Sequence, residues 1–496
     1  MKVIHDWLQI WSTHSPQRIA LIDGDSHEAW SYSVFFKKAK AAAGFLVKNF
    51  RIKKGDRIIY VGQNNLSVIN LFFSVSRLGA ILVPVNYRLT AKELSYIFKD
   101  ADPQLVVHDS EFEALVKETF TEVGFFKPTL NISELQKNSE NTEGFSEFLA
   151  EENDPAMIIY TSGTTGRPKG AMISHGGLFW NSISTSMRLN ITQNDVAVTF
   201  LPLFHTGGWN VLTTPFFSRG ACIILTQKFV ADQILSLSEK YQATLLFGVP
   251  TTMALMAQSS KFQSSELSTI RYAIVGGEPL SLDLIQVWNQ KNIPVRQGYG
   301  LTEFGPNVFS LNETDSVRKM GSVGFANAYI ETKVVDEKGQ NVQANQIGEL
   351  WLRGPACMLG YWNHPEATQQ TFQGDWLKTG DLVRQDSEGF FYIVGRQKDM
   401  FKSGGENVYP AEVEQVISQL TWVKEVAVIG VPDEKWGESG VAYVSSEKKD
   451  FNTEQLREHC SKNLAKFKIP KSFLWIQELP KSGAGKVLKR ELGTSR

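Results

Sequence analysis

Residues 160–170 read Tyr-Thr-Ser-Gly-Thr-Thr-Gly-Arg-Pro-Lys-Gly and combine several hydroxyl side chains with three glycines and a lysine. Such a segment can surround a polyphosphate with backbone N–H groups, hydroxyls and one cation. It is not a Walker A loop, in which Gly-Lys is followed by Ser or Thr and then a helix. Lys169 lies instead between Pro168 and Gly170. The candidate phosphate ligands are Thr161, Ser162, Gly163, Thr164, Thr165, Gly166 and Lys169.

The residues on either side of this segment predict how it is held. Residues 156–159 (Ala-Met-Ile-Ile) precede it and residues 171–174 (Ala-Met-Ile-Ser) follow it, and both runs are apolar enough for strands. We therefore predict a strand–loop–strand arrangement. A Ser/Gly-rich turn between two strands, without a ligand, is the alternative interpretation.

Residues 298–303, Gly-Tyr-Gly-Leu-Thr-Glu, form a second candidate ligand-binding segment. They follow a short strand predicted to end at Val295. The glycines permit close approach of a ligand, and the tyrosine offers a flat ring to a base. The threonine supplies a hydroxyl, and the glutamate supplies a carboxylate that suits Mg²⁺ beside phosphates. An ordinary turn is the alternative. The candidates are Gly298, Tyr299, Gly300, Thr302 and Glu303.

Three further residues are chemically useful but ambiguous in isolation. Asp381, in Thr-Gly-Asp, can accept hydrogen bonds from both hydroxyls of a ribose, although a plain turn explains it equally well. His205, in the apolar stretch Pro-Leu-Phe-His-Thr-Gly-Gly, is either a catalytic group or a buried structural histidine. Lys486, in Ser-Gly-Ala-Gly-Lys, is either a mobile catalytic cation or a solvated surface charge.

Composition limits the class of protein. A chain of 496 residues is long enough for two or more hydrophobic cores. With 51 Lys and Arg against 52 Asp and Glu, the net charge is −1, which argues against nucleic acid or an anionic membrane as a partner. The longest apolar run, residues 71–85, is broken by Arg77 and Pro84, so we predict no transmembrane segment.

The termini and the cysteines bear on localisation. Residues 1–20 predict an amphipathic helix and not a signal peptide. The three cysteines are far apart, odd in number and without metal-ligand spacing. We therefore predict a reduced, cytoplasmic protein without zinc. The sequence leaves the oligomeric state open, and a homodimer is our hypothesis.

The elements that must position these residues alternate between strand and helix, which predicts an α/β fold with parallel-rich sheets and helical crossovers. Residues 133–154 are polar and lack a period, so we predict a surface loop there. The predicted strands are 57–61, 80–84, 105–108, 221–225, 243–247 and 272–275. The predicted helices are 66–78, 91–99, 230–241 and 251–258.

The pattern of predicted secondary structure changes after about residue 320. Strand-like segments at 332–335, 348–352 and 390–394 predict a smaller β subdomain. A new set of elements then begins, with helix 410–419, strand 426–430 and helix 453–464. We therefore predict a domain boundary near residues 395–398. It separates a large N-terminal domain, residues 1–397, from a small α+β C-terminal domain, residues 398–496.

These segments occur together in one order, and with them the chain closely resembles the adenylate-forming superfamily, which includes acyl-CoA synthetases, carrier-protein-loading adenylation domains and firefly luciferase. The resemblance covers nearly the whole chain and is carried by residues 160–170, 299–303, 379–381, 395–396 and 485–486. It implies a two-step reaction. A carboxylate attacks the α-phosphate of Mg-ATP to give an acyl-adenylate and pyrophosphate, and a thiol then attacks the acyl carbon and releases AMP.

The resemblance also implies roles for individual residues. By similarity, the loop after Thr161 holds the β- and γ-phosphates, Glu303 binds magnesium, and Lys486 bridges the carboxylate and the α-phosphate. Tyr299 is expected to stack on adenine, and Asp381 and Arg396 are expected to hold the ribose. The segment expected on the other side of the adenine contributes Gly277, Glu278 and Pro279.

The superfamily rotates its small C-terminal domain between the two steps, so we expect that domain to be mobile. The hinge position corresponds to Lys398, where many relatives carry Asp, and since both residues occur there we infer no defect. In the second pose residues 403–407 are expected to enter the site, where Gly405 leaves room for a pantetheine arm.

The identity of the thiol follows from the same resemblance. Arg88 and Trp436 match positions that contact CoA in bacterial aryl-CoA ligases, and the 496 residues include no carrier-protein segment with a phosphopantetheine serine. ATP, Mg²⁺ and free CoA are therefore the expected cofactor and co-substrates. A standalone adenylation enzyme serving a separate carrier protein is the main alternative. A luciferase-like oxygenase and a noncatalytic binding protein are the others.

The sequence indicates only some chemical properties of the acid substrate. Segments 204–215, 248–256 and 298–309 contain no Lys or Arg, whereas an acid with a second carboxylate needs a cation. We predict a monocarboxylate with an apolar body, with a fatty acid first and an aryl acid (benzoate, coumarate or o-succinylbenzoate type) as the alternative. Two tryptophans either cap a short pocket or flank a long tunnel. The expected pocket residues are Phe179, Trp180, Trp209, Met253, Phe304 and Val308.

Overall fold

The computed structural model describes residues 6–137, 147–148, 150–161, 167–277, 280–447, 449, 451–481 and 487–493. The chain divides into two compact units. The first comprises Met1–Glu331 and Leu352–Leu377, and the second comprises Thr332–Trp351 and Lys378–Arg496. The predicted domain division at residues 397 and 398 stays a prediction, because compactness alone does not locate a hinge.

The first unit contains a sheet whose central strands run parallel and whose edges are antiparallel. Central strands such as Leu245–Gly248 and Tyr272–Val275 are short apolar runs, because both faces of a parallel sheet are covered. The strands in spatial order are Ser322–Ala326, Gly305–Ser310, Val295–Leu301, Tyr272–Val275, Leu245–Gly248, Val196–Thr199, Cys222–Leu225, Ile19–Asp23 and Ala29–Ser31.

The same unit contains a second sheet of seven strands, which carries the predicted phosphate loop. The five consecutive strands from Pro155–Thr161 to Thr129–Asn131 pair in parallel, and the two strands that flank the loop pair antiparallel with each other. The strands in spatial order are Gly360–Tyr361, Lys169–Ser174, Pro155–Thr161, Ile81–Val85, Arg57–Val61, Leu105–His108 and Thr129–Asn131.

Amphipathic helices cover these sheets. Ala91–Ala101 is an example, since Thr90 and Glu93 form a capping box at its start and Leu94, Phe98 and Ala101 are buried along one face. The helices of this unit are Trp7–His14, Tyr32–Phe50, Leu66–Ser76, Ala91–Ala101, Glu113–Val123, Ile132–Lys137, His175–Arg188, Thr206–Asn210, Thr213–Arg219, Ala231–Lys240, Pro250–Gln258, Ser260–Ser264, Leu282–Gln290 and Pro365–Thr371.

The second unit contains four neighbouring strands of one sheet, a separate five-stranded sheet, and helices. The five-stranded sheet has its own core, in which Phe401, Val413, Val428 and Val444 are buried together. The four strands are Glu331–Val335, Ile347–Arg353, Trp376–Gln385 and Phe391–Arg396. The five strands are Glu406–Val408, Phe401–Ser403, Gly437–Ser446, Val423–Asp433 and Ser472–Ile476. The helices are Pro410–Ile417, Thr453–Asn463 and Lys489–Leu492.

The predicted α/β class, with a large N-terminal and a smaller C-terminal part, is confirmed, and three local predictions are wrong. Of the amphipathic helix predicted over residues 1–20, the described helical part is Trp7–His14, because the chain then joins the sheet as the strand Ile19–Asp23. The polar loop predicted over residues 133–154 begins within a helix, Ile132–Lys137. The strand predicted to end at Val295 begins there.

Two predicted absences can be compared with the structure. In the ranges given above, no helix is both long and apolar enough to pass through a bilayer. Cys222, Cys357 and Cys460 are free thiols.

We expect the stability of the fold to depend on the protonation of His175, the first residue of the helix His175–Arg188. Burial lowers the pKa of His175 to about 4, against the opposing effect of Asp154. Because the folded-state pKa lies below the unfolded value of about 6.5, protonation favours unfolding. The contribution of neutral His175 to the free energy of unfolding is complete above pH 6.5. The free energy of unfolding falls by about 2 kcal/mol between pH 7 and pH 5.

Urea denaturation across this pH range tests the expectation. The His175→Asn variant should lose about this much of the pH dependence, whatever its stability at pH 7. His14→Asn, at an exposed histidine, is the matched control and should retain the wild-type pH dependence. If the free energy of unfolding of the His175→Asn variant changed with pH as much as that of the wild type, the pH dependence would not come from His175.

Candidate active site

The predicted phosphate loop joins two antiparallel strands, Pro155–Thr161 and Lys169–Ser174, so the strand–loop–strand prediction is confirmed. Thr161 and Lys169 are cross-strand partners at the base of the loop, and Thr161 Oγ1 donates to the Lys169 carbonyl at 3.4 Å. One hydroxyl and one ammonium are therefore brought to the same end of the hairpin. Ser162, Gly163, Thr164, Thr165 and Gly166 lie outside the described residues, and their roles stay predictions.

Glu303 lies beside this hairpin end, in the turn between Val295–Leu301 and Gly305–Ser310. Its Oε1 accepts hydrogen bonds from Thr161 Oγ1 at 3.4 Å and from the Tyr361 hydroxyl at 2.9 Å. Thr302 precedes it in the same turn and is half-buried. The carboxylate predicted to hold magnesium is thus close to the base of the predicted phosphate loop.

Tyr361 is a residue that the sequence interpretation missed. It belongs to the two-residue strand Gly360–Tyr361, which pairs with Lys169–Ser174. Its contact with Glu303 depends on pairing between segments that are far apart in the chain, and no local pattern around residue 361 signals it.

Two cations of the loop segment lie over tyrosine rings. Lys169 Nζ is 5.2 Å from the centroid of the Tyr361 ring, and the guanidinium of Arg167 is 5.8 Å from that of Tyr96. Both distances are within the range of a cation–π interaction. The positive charges at the C-terminal end of the loop are therefore oriented by aromatic faces.

The glycines of the predicted adenine site serve different purposes. A Cβ atom at Gly300 would lie 2.2 Å from the carbonyl of Pro306, so the hairpin itself requires this glycine. Gly298 is less crowded, because the Phe309 carbonyl oxygen would lie 3.4 Å from a Cβ atom there. Gly277 has φ +91°, a backbone conformation that favours glycine. The Tyr299 ring is tilted against Phe309, with centroids 5.8 Å apart. Glu278 and Pro279 lie outside the described residues.

His205 immediately precedes the helix Thr206–Asn210 and is half-buried, with its ring 4.9 Å from that of Phe204. Trp209, in the same helix, is fully buried and packs on Phe72 at 5.2 Å. A narrow apolar space, too small to admit a water molecule, lies beside this segment. It is lined by Val198, Thr199, Phe200, Leu201, Gly207, Gly208, Leu212 and Phe247.

The other expected acyl-pocket residues divide into buried and accessible ones. Met253, Phe304 and Val308 are fully buried. Phe179 and Trp180 are half-buried, and their rings form a T-shaped pair with centroids 5.4 Å apart. The Trp180 indole N–H donates to Glu152 Oε1 at 3.1 Å, and its ring also packs on Tyr329 at 5.1 Å.

In the second unit, the two residues predicted to hold a ribose contact each other. Asp381 and Arg396 are cross-strand partners, and Arg396 Nε lies 2.6 Å from Asp381 Oδ1. The Asp381 side chain is buried, whereas that of Arg396 is partly exposed. The carboxylate is thus held in one orientation. Lys398 follows in the 3₁₀ turn Gln397–Asp399 and is exposed.

Residues predicted for the thiol step also meet in the second unit. The backbone N–H of Gly404 donates to the Trp436 carbonyl at 2.9 Å, and a Cβ at Gly404 would lie 3.0 Å from the indole ring. Gly405 has φ +88° with no heavy atom within 4 Å of its Cβ position. Asp433 accepts the backbone N–H of Trp436 at 3.1 Å, and its hydrogen bonds, led by that from Lys471, lower the pKa of its carboxyl.

The remaining two predicted residues are described less fully. Arg88 is exposed in the first unit, with its guanidinium 5.4 Å from the Tyr87 ring centroid. Lys486 lies outside the described residues. Among the described residues on either side, Lys481 and Val487 form an antiparallel bridge, and the Leu488 N–H donates to the Pro480 carbonyl at 2.7 Å.

Glu303 is the carboxylate predicted to hold magnesium, and its surroundings indicate what kind of magnesium site it suits. In the described part of the chain, no three His, Cys, Asp or Glu side chains are grouped as a metal site. Mg²⁺ usually takes one or two carboxylates together with substrate phosphates and waters. Glu303, beside the base of the phosphate loop, therefore fits an ion that arrives with ATP and not a permanently caged one.

The chain is similar to known proteins over most of its length. Residues 8–362 match the family described as AMP-binding enzyme, and residues 412–486 match the AMP-binding enzyme C-terminal domain. A long-chain-fatty-acid–CoA ligase of Mycobacterium tuberculosis is 34% identical over 502 residues, covering 99% of this chain and 98% of that protein. A feruloyl-CoA synthase of an Amycolatopsis species is 34% identical over 442 residues, covering 89% of each chain.

A solved structure is similarly close. The o-succinylbenzoate CoA synthetase of Bacillus subtilis, in complex with ATP and magnesium, superimposes with a TM-score of 0.91 at 31% identity, covering 98% of this chain and 99% of that one. The chain therefore belongs to the AMP-binding enzyme family. Within it, the chain is an AMP-forming acid–CoA ligase, which uses ATP with Mg²⁺ and CoA.

Proposed function

We propose that this ligase acts on a monocarboxylic acid with an apolar body, with a fatty acid as the first choice. The observation that carries the proposal is the absence of Lys and Arg from segments 204–215, 248–256 and 298–309, together with the uncharged lining of the narrow apolar space beside His205–Trp209. A second carboxylate placed there would have no cation to compensate it. The similarity to a long-chain-fatty-acid–CoA ligase supports the same choice.

An aryl acid is the second candidate, and a specific feature favours it. The half-buried rings of Phe179 and Trp180, together with Tyr329, form an aromatic group that suits a planar ring. The feruloyl-CoA synthase and the o-succinylbenzoate CoA synthetase among the relatives make this class a natural alternative.

The proposed first step uses residues of the first unit and Lys486. A carboxylate oxygen of the acid attacks the α-phosphate of ATP, and the bond to the leaving pyrophosphate breaks. The loop from Thr161 to Lys169 holds the phosphates, while Tyr299 and Gly277 line the adenine. Glu303 would hold magnesium, which would supply positive charge to the phosphates, and Lys486 neutralises the reacting oxygens.

The proposed second step uses residues of the second unit and Arg88 of the first. The CoA thiol attacks the acyl carbon, and AMP leaves with the electron pair of the broken acyl–phosphate bond. Gly405 provides a passage for the pantetheine arm, and Trp436 and Arg88 contact CoA. Asp381 and Arg396 hold the ribose, and the chain rotates at Lys398 between the two steps.

Pyrophosphate release across a panel of acids tests the choice of substrate. The panel runs from acetate to long-chain fatty acids and includes benzoate, 4-coumarate and o-succinylbenzoate, each with and without CoA. A peak among fatty acids with formation of a CoA thioester is the expected result. A peak among aryl acids would replace the first candidate by the second. Adenylation without any CoA thioester would overturn both.

A substitution at Gly207 tests the acyl space directly. A Cβ atom there would meet only the Phe247 ring, at 3.8 Å, so a larger side chain enters the apolar space. We expect Gly207→Val to raise the KM of the best acid by about 10-fold and to affect a homologue several carbons shorter much less, because one or two methylene groups are worth 1–3 kcal/mol in such a pocket.

The neighbouring glycine provides a contrast for that variant. A Cβ at Gly208 would lie 2.4 Å from the Pro202 carbonyl, so Gly208→Ala should destabilise the fold and lower activity with every acid. Equal loss with long and short acids in Gly207→Val would show that Gly207 does not line the acyl site.

A further inference from the structure

Tyr361 contacts two residues of the proposed ATP site with two different parts of its side chain. Its hydroxyl donates to Glu303 Oε1 at 2.9 Å, and its ring lies 5.2 Å from Lys169 Nζ. The hydrogen bond to a carboxylate is charge-assisted, and the ring contact is a cation–π interaction. One tyrosine thus joins the carboxylate and the ammonium that face the phosphates in the proposed mechanism.

The backbone of Tyr361 is firmly held. The strand Gly360–Tyr361 pairs antiparallel with Lys169–Ser174, with Tyr361 opposite Ala171. The N–H of Tyr361 donates to Thr368 Oγ1 at 2.8 Å, and the N–H of Trp362 donates to the Gly170 carbonyl at 2.8 Å. A side chain mounted on such a fixed strand can orient its partners, whereas an exposed loop residue would move with them.

The residues that Tyr361 contacts need orientation. A glutamate has three rotatable side-chain bonds, and Glu303 is only half-buried in a turn. Its Oε1 receives two donors, and the bond from Tyr361 at 2.9 Å is shorter than the one from Thr161 at 3.4 Å. The tyrosine hydroxyl is therefore the stronger of these two restraints on the carboxylate.

We propose that Tyr361 is a positioning residue of the adenylation step. Its hydroxyl fixes the Glu303 carboxylate for the magnesium ion that accompanies ATP, and its ring orients the Lys169 ammonium toward the phosphates. This inference rests on the proposed function, since it takes Glu303 and Lys169 as ATP-site residues.

Calorimetric binding to the full chain, without acid substrate, tests the inference. Tyr361→Phe should weaken Mg·ATP binding about 10-fold, because loss of a partner that orients a metal ligand typically costs 10- to 100-fold in affinity. Binding of AMP without magnesium should be unchanged. Tyr361→Leu also removes the ring and should weaken Mg·ATP binding further than Tyr361→Phe does.

Tyr241 provides a matched control. It is half-buried in the same unit, its hydroxyl lies 3.1 Å from His27 Nδ1, and Lys240 Nζ lies 5.1 Å from its ring centroid. Tyr241→Phe should bind Mg·ATP like the wild type. A loss of AMP binding equal to that of Mg·ATP in Tyr361→Phe would indicate a merely structural role and would overturn the inference.

Glu303→Gln separates failure of the inference from failure of the proposed function. If Glu303→Gln weakens Mg·ATP binding and Tyr361→Phe does not, the positioning role is wrong and the magnesium role of Glu303 stands. If neither variant weakens it, the ATP-site assignment itself fails, and the inference fails with it. Weakening in both, with no further loss in the double variant, supports action of Tyr361 through Glu303.

Discussion

The Lys486→Ala variant should lose adenylation by about 100- to 1,000-fold and yet convert preformed acyl-adenylate and CoA to thioester at close to the wild-type rate. In the proposed mechanism the lysine neutralises charge between the carboxylate and the α-phosphate, and loss of a preorganised donor of this kind typically costs that much. The bond between acid and phosphate already exists in the acyl-adenylate, so the second step does not need the lysine. Pyrophosphate release and thioester formation, measured separately, test both halves.

Lys424→Ala is a suitable control for this variant. Lys424 is a largely exposed lysine of the same unit that pairs with Glu447, and its loss should leave both half-reactions unchanged. Equal loss of the two half-reactions in Lys486→Ala would refute the role given to this residue.

The Gly405→Leu variant should show the opposite pattern. Gly405 is exposed, with no heavy atom within 4 Å of its Cβ position, and the leucine side chain would occupy the passage proposed for pantetheine. We expect pyrophosphate release to be retained and thioester formation to fall by about 100-fold, because small misplacements of a reacting group have effects of that size.

The positive φ of Gly405, +88°, means that leucine also strains the backbone there. Gly374→Leu is the matched control for strain, since Gly374 is exposed, has φ +60° and likewise has no heavy atom within 4 Å of its Cβ position. A similar loss of thioester formation in both variants would indicate that backbone strain is the cause. Unaltered overall turnover in Gly405→Leu would show that Gly405 does not line the pantetheine passage.

The parts of the fold that were predictable are those where local pattern and long-range pairing agree. Strands such as Arg57–Val61 and Tyr272–Val275 are apolar runs because they are buried in parallel sheets, and the sequence pattern reflects this directly. The sequence pattern does not predict the strand Val295–Leu301, because its glycines lower the local strand propensity. Pairing of Gly298 with Ser310 nevertheless extends the strand through them.

The site was predictable to a similar degree. Thr161, Lys169 and Glu303 were identified from residue type and resemblance, and the structure places Thr161 against both others. Tyr361 could not be found in this way, because nothing near it in the chain resembles a phosphate or metal motif. Its relevance arises only when the Gly360–Tyr361 strand pairs beside Lys169. Contacts made by pairing of distant strands leave no local signature.

The crowding at Gly300 has a consequence for evolution. Since a Cβ atom would lie 2.2 Å from the Pro306 carbonyl, selection for folding alone preserves this glycine. A descendant that had abandoned ATP chemistry would retain Gly300 while Lys169 and Glu303 drifted. Searches for pseudoenzymes among homologues of this ligase should therefore score the lysine and the glutamate and give no weight to the glycine.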